Sequence, residues 1–215
     1  MSAQSQLKIK VIVGSTRQNR VSDKPAYWIY NELQKRHGVQ AELLDLKDYP
    51  MPFYDEPVPA MMLNGKYSNE IVKKWSERIK DGDAFIIIAP EYNHGYPAVL
   101  KNAIDYLYSE WHNKPVGFIS FGGNGGVRSI EQLRQVVLTL KMHPVSSSIN
   151  IPFDMYLKLM NEKAPANPDI FLPLRQGIFG DSVANFLDEL INTTRVFKSD
   201  EEEVFEAKVS EVDLS

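Results

Sequence analysis

The residues best equipped for chemistry in this sequence fall in three short stretches. The first is Gly14-Ser15-Thr16-Arg17-Gln18-Asn19-Arg20-Val21-Ser22, which packs hydroxyls, side-chain amides and two guanidinium groups into nine positions. Such a set suits an anion, and phosphate above all. Arginine offers paired N–H donors that match phosphate oxygens. A helix beginning at the end of the stretch would add unpaired backbone N–H groups and the positive end of its dipole. The plainer alternative is a solvated loop in which Ser22 caps that helix. The stretch lacks both the G-K-[ST] ending of a P-loop and the G-x-G-x-x-G spacing of a dinucleotide turn. Nucleoside triphosphate hydrolysis and an ordinary Rossmann site therefore lose ground.

The second stretch is Pro90-Glu91-Tyr92-Asn93-His94-Gly95. It offers an aromatic plane, amide groups and backbone N–H groups, which is what a flat heteroaromatic ring needs along its face and its polar rim. A tight turn with Tyr92 half-buried is the competing reading. His94 reads as a pocket lip rather than a base, and no second histidine stands nearby at the spacing of metal ligands. The third stretch is Ser120-Phe121-Gly122-Gly123-Asn124-Gly125-Gly126. Its glycines let a backbone approach a ligand closely, although glycines also make ordinary turns.

These stretches must be positioned by the elements around them. Residues 7–14 (LKIKVIVG) read as a buried strand, 39–46 as a second, 84–89 (AFIIIA) as a third covered on both faces, 116–121 as a fourth and 144–151 as a fifth. Helical spacing runs through Ala26, Ile29, Tyr30 and Leu33, and again through Ile71, Val72, Trp75 and Ile79, which Asp81-Gly82 stops. Pro97 suits a first helical position ahead of Leu100, Ala103, Ile104 and Leu107. Ile130, Leu133, Val137 and Leu140 mark another helix, and Val183, Phe186, Leu187, Leu190 and Ile191 a last one. Residues 48–67 form a long loop rich in Pro and Met. Strand and helix alternating five times predict an α/β fold: a five-stranded parallel sheet with helices on both faces and right-handed crossovers. Ligands of such a sheet bind beyond the carboxyl ends of its strands, where the strand order reverses. That rule selects the turns after strands one, three and four, which are the three stretches above. Residues 153–180 stand outside the pattern as an insertion, and 198–215 as an acidic tail expected to be mobile.

The chain has 215 residues, a formal net charge of -4 and no cysteine. Disulfides, thiolate metal sites, iron–sulfur clusters and cysteine nucleophiles are excluded. The mild acidity without basic blocks gives no footprint for nucleic acid and argues against a membrane surface. A cytoplasmic setting fits. The first ten residues show no apolar segment of a secretory leader, and no apolar run approaches the roughly 20 residues that span a bilayer.

At the same residues the chain resembles the NAD(P)H-dependent FMN reductase family, a branch of the flavodoxin-like fold that includes quinone and azo-dye reductases. Gly14, Ser15, Arg17, Arg20 and Ser22 match G-S-x-R-x-x-R-x-S. Pro90, Glu91, Tyr92 and Asn93 match P-E-Y-N. A helix reading P-x-x-L-K-N-A-I-D-Y follows, here Pro97, Leu100, Lys101, Asn102, Ala103, Ile104, Asp105 and Tyr106. The resemblance covers about residues 7–151. It implies a three-layer sandwich with strand order 2-1-3-4-5 over residues 1–197. It also implies roles. Ser15, Arg17, Arg20 and Ser22, with the Val21 amide, would hold the FMN phosphate. Pro90, Glu91, Tyr92 and Asn93 would line the pyrimidine side of the ring, and Ser120, Gly122 and Gly123 would flank its other part. The implied reaction passes electrons from NADPH or NADH through bound FMN to a small acceptor, in ping-pong order, with no catalytic side chain and no metal. A homodimer or homotetramer is implied too. His94-Gly95-Tyr96 departs from the family's usual small or basic residues.

Two rivals differ in class. A flavodoxin-like one-electron carrier would be expected to lack the two arginines and to be strongly acidic. A serine hydrolase using Ser15 would need a positioned histidine, and the histidines at 37, 94, 112 and 143 form no recognisable constellation with it.

Overall fold

The computed structural model describes residues 6–175 and 183–212, with side chains through residue 199. In chain order it runs β1 (Leu7–Val13), α1 (Asp23–Gln34), β2 (Val39–Asp45), α2 (Ala60–Leu63), α3 (Glu70–Asp81), β3 (Ala84–Pro90) and α4 (Ala98–Asp105). Then come β4 (Pro115–Phe121), α5 (Val127–Thr139), β5 (His143–Pro144), β6 (Ile149–Ile151), α6 (Phe153–Met160), α7 (Leu172–Arg175) and α8 (Val183–Val212). Every strand pairing is parallel, and the order is β2-β1-β3-β4-β5, with β6 also on β4. This is the expected 2-1-3-4-5 arrangement.

Alternation along the strands explains the three layers. Ile9, Val11 and Val13 of β1 and Ile86 and Ile88 of β3 face a core shared with Ala26, Ile29 and Leu33 of α1 and Phe186, Leu187 and Leu190 of α8. Ile12, Phe85, Ile87 and Phe118 face the opposite core, against Trp75 and Ile79 of α3, Leu100 and Ile104 of α4, and Leu133 and Val137 of α5. A strand buried on both faces has no polar side to display, which is why β3 reads as an unbroken apolar run.

Two expectations change in detail. The fifth strand is broken into β5 and β6, and between them side chains take up backbone groups of residues 145–147. The backbone N–H groups of Ser146 and Ser147 donate to the Glu189 carboxylate at 2.6 and 3.1 Å, and the carbonyls of Val145 and Ser146 accept from Arg134 at 2.7 and 2.9 Å. Pro97 is the N-cap residue of α4 and not its first helical residue, with an extended ψ of 138°. The insertion is partly helical, holding α6, a 3-10 turn (Pro168–Phe171) and α7. It is anchored by Phe171, buried and stacked on Trp28 with ring centroids 4.4 Å apart. Residues 176–180 of the insertion lie outside the described residues. The backbone of α8 runs on to Val212, into the acidic stretch that begins at residue 198. No helix of the described residues is long and apolar enough to cross a membrane.

Candidate functional site

The three turns meet at the carboxyl edge of the sheet. Register sets them level: Val13 pairs with Ile88, Ile88 with Ile119, and Pro90 with Phe121. Direct bonds then tie them together. The Ser15 hydroxyl lies 2.8 Å from the Tyr92 hydroxyl, joining the first turn to the second. The Glu91 N–H donates to the Phe121 carbonyl at 2.9 Å, joining the second to the third. Gly14 lets the start of the first turn lie close against β3, since a Cβ there would stand 2.6 Å from the Ile88 carbonyl oxygen.

In the first turn the two arginines part company. Arg17 is exposed at the mouth, and among the described residues its side chain makes long contacts of 3.4 Å from Nε to the Tyr92 hydroxyl and from Nη2 to the Asn19 carbonyl. Arg20 is 6% exposed. Its Nη1 donates to the Ser15 carbonyl and to Asp45 Oδ1, both at 2.7 Å, and its Nη2 donates to Asp45 Oδ2. Lys24, also buried, donates to the Arg20 carbonyl at 2.8 Å. Ser22 occupies the N-cap position of α1 but makes no capping bond, so the capping alternative for its hydroxyl fails. Among the described residues, six buried side-chain polar atoms have no hydrogen-bond partner, and three of them are Arg20 Nε, Ser22 Oγ and Asp23 Oδ1. Two unmatched buried donors at the start of α1 fit a phosphate.

The second turn closes through paired backbone bonds between Tyr92 and Gly95 at 2.8 and 3.0 Å, with Asn93 and His94 at φ of 50° and 66°. Tyr92, Asn93 and His94 are exposed, and Pro90 is buried at the end of β3. Glu91 turns away from the crevice: its carboxylate accepts from the Arg128 backbone N–H at 3.2 Å and from Arg128 Nη1 at 3.3 Å. It therefore caps α5 and couples the second turn to the third. In the third turn Ser120 is fully buried, its hydroxyl 2.6 Å from the Ala89 carbonyl oxygen and 2.9 Å from that of Gly126. The side chains of Glu91 and Ser120 thus brace the crevice, and any contact they offer a ring comes from their backbone. Gly123 faces open space, with no atom within 4 Å of where a Cβ would stand.

Some residues of the helix motif act from outside the crevice. Asn102 Nδ2 donates to the Pro52 carbonyl at 2.7 Å, Asn102 Oδ1 accepts from the Tyr54 N–H at 2.8 Å, and the Tyr106 hydroxyl donates to Pro52 at 3.1 Å. These bonds pin the Pro-rich loop to α4. Sequence reasoning missed Asp45, Arg128 and this pinning; only the Asn and Tyr of the motif hinted at the last. Ser15 has a tyrosine and not a histidine as its hydroxyl partner, which leaves the hydrolase reading without a base. No group of three or more potential metal ligands occurs among the described residues.

The profile of the family described as NADPH-dependent FMN reductase matches residues 7–155. The chain belongs to that family. An NAD(P)H-dependent FMN reductase of Schizosaccharomyces pombe, C4B3.06c, is 39% identical over 149 residues, covering 68% of this chain and 74% of that one. The NAD(P)H-dependent FMN reductase LOT6 of Saccharomyces cerevisiae is 31% identical over 199 residues, covering 88% and 99%. The fold is shared with the flavoenzyme FerB of Paracoccus denitrificans, at a TM-score of 0.62 and 23% identity over 87% of this chain and 98% of that one. The enzyme is an oxidoreductase that uses FMN and NAD(P)H. As a member of the FMN reductase family, it carries the two matching sequence motifs on the first and second turns of one crevice.

Proposed function

We propose that the crevice binds FMN by its phosphate at Ser15, Arg17, Arg20, Ser22 and the Val21 amide, and by its ring along Pro90 to Asn93 and Ser120 to Gly123. When bound, FMN would supply the redox chemistry, hydride acceptance from NADPH or NADH and electron delivery to an acceptor. The chain's own residues bind and orient. Arg17 brings a free positive charge to the mouth, Arg20 and Ser22 bring buried donors beneath it, and Tyr92 links the phosphate end of the crevice to the ring end. The observation that carries the reading is the pair of buried, unpartnered donors, Arg20 Nε and Ser22 Oγ, at the start of α1.

The acceptor is a small molecule such as a quinone, free flavin or an azo compound, and it follows the nicotinamide into the same place in ping-pong order. Two relatives' names support this: an NAD(P)H:quinone oxidoreductase of Solanum tuberosum and an FMN-dependent NADPH-azoreductase of Staphylococcus aureus. The enzyme works as a homodimer or homotetramer, a reading supported by the exposed Phe53, Met61 and Met62 of the Pro-rich loop. The test is direct. Protein loaded with FMN should show flavin absorption that bleaches with NADPH and returns with a naphthoquinone, and steady-state plots at several quinone concentrations should be parallel. Protein that takes up no FMN, or intersecting plots, would overturn the binding and the order respectively.

A further inference from the structure

We infer that Asp45, at the end of β2, is a positioning residue for the cofactor phosphate, acting through Arg20. The inference rests on the FMN reading of the crevice and adds a residue that lies outside the three turns.

Asp45 is the last residue of β2, and β2 runs beside β1, whose end opens the first turn. Its side chain is 26% exposed, while that of Arg20 is 6% exposed. The pairing is two-pronged, Nη1 to Oδ1 at 2.7 Å and Nη2 to Oδ2, which fixes the guanidinium plane as well as its place. Nη1 also donates to the Ser15 carbonyl at 2.7 Å, so the same guanidinium holds the turn's own backbone. Both Nη atoms thus have partners. The Nε–H does not: it is buried with no hydrogen-bond partner, and its nearest charged neighbour is Asp23 Oδ2 at 3.9 Å. Asp45 therefore occupies the fork of Arg20 and leaves Nε as the donor available to an anion, two residues before Ser22, whose Oγ is also unpartnered. Without Asp45 the arginine would lose its fixed plane, and the first turn would lose the bond at Ser15 that depends on it.

The sign of one measurement separates this from simple electrostatics. Taking a carboxylate away from the neighbourhood of a phosphate dianion should tighten phosphate binding by Coulomb's law alone. The positioning role demands the opposite. FMN and riboflavin affinities of the apoprotein would be measured by flavin fluorescence for wild type, Asp45→Ala, Asp45→Asn, Arg20→Ala and the Arg20→Ala/Asp45→Ala pair. In Asp45→Ala the FMN dissociation constant should rise about tenfold, the worth of one well-placed charge-assisted bond, while riboflavin, which lacks the phosphate, binds as before. In the Arg20→Ala background the Asp45 change should add no further loss, because the residue acts through the arginine. Asp45→Asn keeps the shape and one acceptor, so it should fall between wild type and Asp45→Ala; it carries the same comparison if the alanine variant does not fold. Equal or tighter FMN binding in the Asp45 variants would overturn the inference. So would a loss shared equally by riboflavin, or a loss that adds in full to that of Arg20→Ala. The wild type alone reports on the FMN reading, and the differences among variants report on Asp45.

Discussion

The two arginines of the first turn differ in role, although a motif treats them alike. Arg17 is exposed and nearly free, so it can meet a phosphate as a mobile charge; Arg20 is buried and already committed at both Nη atoms. The difference comes from Asp45, which lies 25 positions along the chain and has no place in the motif. Replacing Arg17 with Ala should therefore weaken FMN by roughly 1–3 kcal/mol, the range for a hydrogen bond to a charged partner. It should leave riboflavin affinity and thermal stability close to wild type, because the side chain packs against little. Calorimetric titration with the two flavins checks this, and an equal loss for both would remove Arg17 from the phosphate. Glu91 and Ser120 make the complementary point. Their side chains look like ligands in sequence, yet both are spent on the frame of the crevice.

At the scale of elements, the break between β5 and β6 shows how side chains replace a ladder. Glu189 on α8 accepts from the backbone N–H and hydroxyl groups of Ser146 and Ser147. Burial alone would push its carboxyl upward, but these hydrogen bonds outweigh that and hold it at about 2, against an ordinary 4.5. A carboxyl whose folded value is depressed adds stability above its unfolded value and loses it as the pH falls toward the folded one. Glu189→Gln should therefore cost about 1–3 kcal/mol at neutral pH. The gap to wild type should shrink as the pH falls from about 5 toward 2. Urea midpoints measured across that range decide it; a gap independent of pH would mean that charge has no part in the bond.

At the scale of the whole molecule, the central strands β3 and β4 are buried on both faces, yet the Pro-rich loop keeps large apolar side chains in water. Phe53 is 81% exposed, and Met61 and Met62 are 56% and 62% exposed. All three lie in the Pro-rich loop, which Asn102 and Tyr106 pin to α4 at residues 52–54, so Phe53 is held in place. A fixed apolar surface of that kind marks an interface more often than a solvated face. Light scattering should give a mass that is a multiple of the 24.5 kDa chain, and Phe53→Ser should shift the distribution toward monomer. A monomeric wild type at micromolar concentration would sink the oligomer reading.

The local pattern of this sequence was enough for the sheet, its three layers and the identity of the three turns. Strand periodicity, glycine and proline punctuation and right-handed crossovers act over a few residues and leave few topologies open. The same pattern could not tell which polar side chains of those turns face the crevice and which hold it up. Arg17 and Arg20 read alike, Ser22 reads as a cap, and the strand at 144–151 reads as unbroken. Asp45, Arg128 and Glu189 decide these points, and each meets its partner only through tertiary contact. The physical reason is that a hydrogen bond depends on where the folded chain places the second group, and spacing along the sequence carries no record of that.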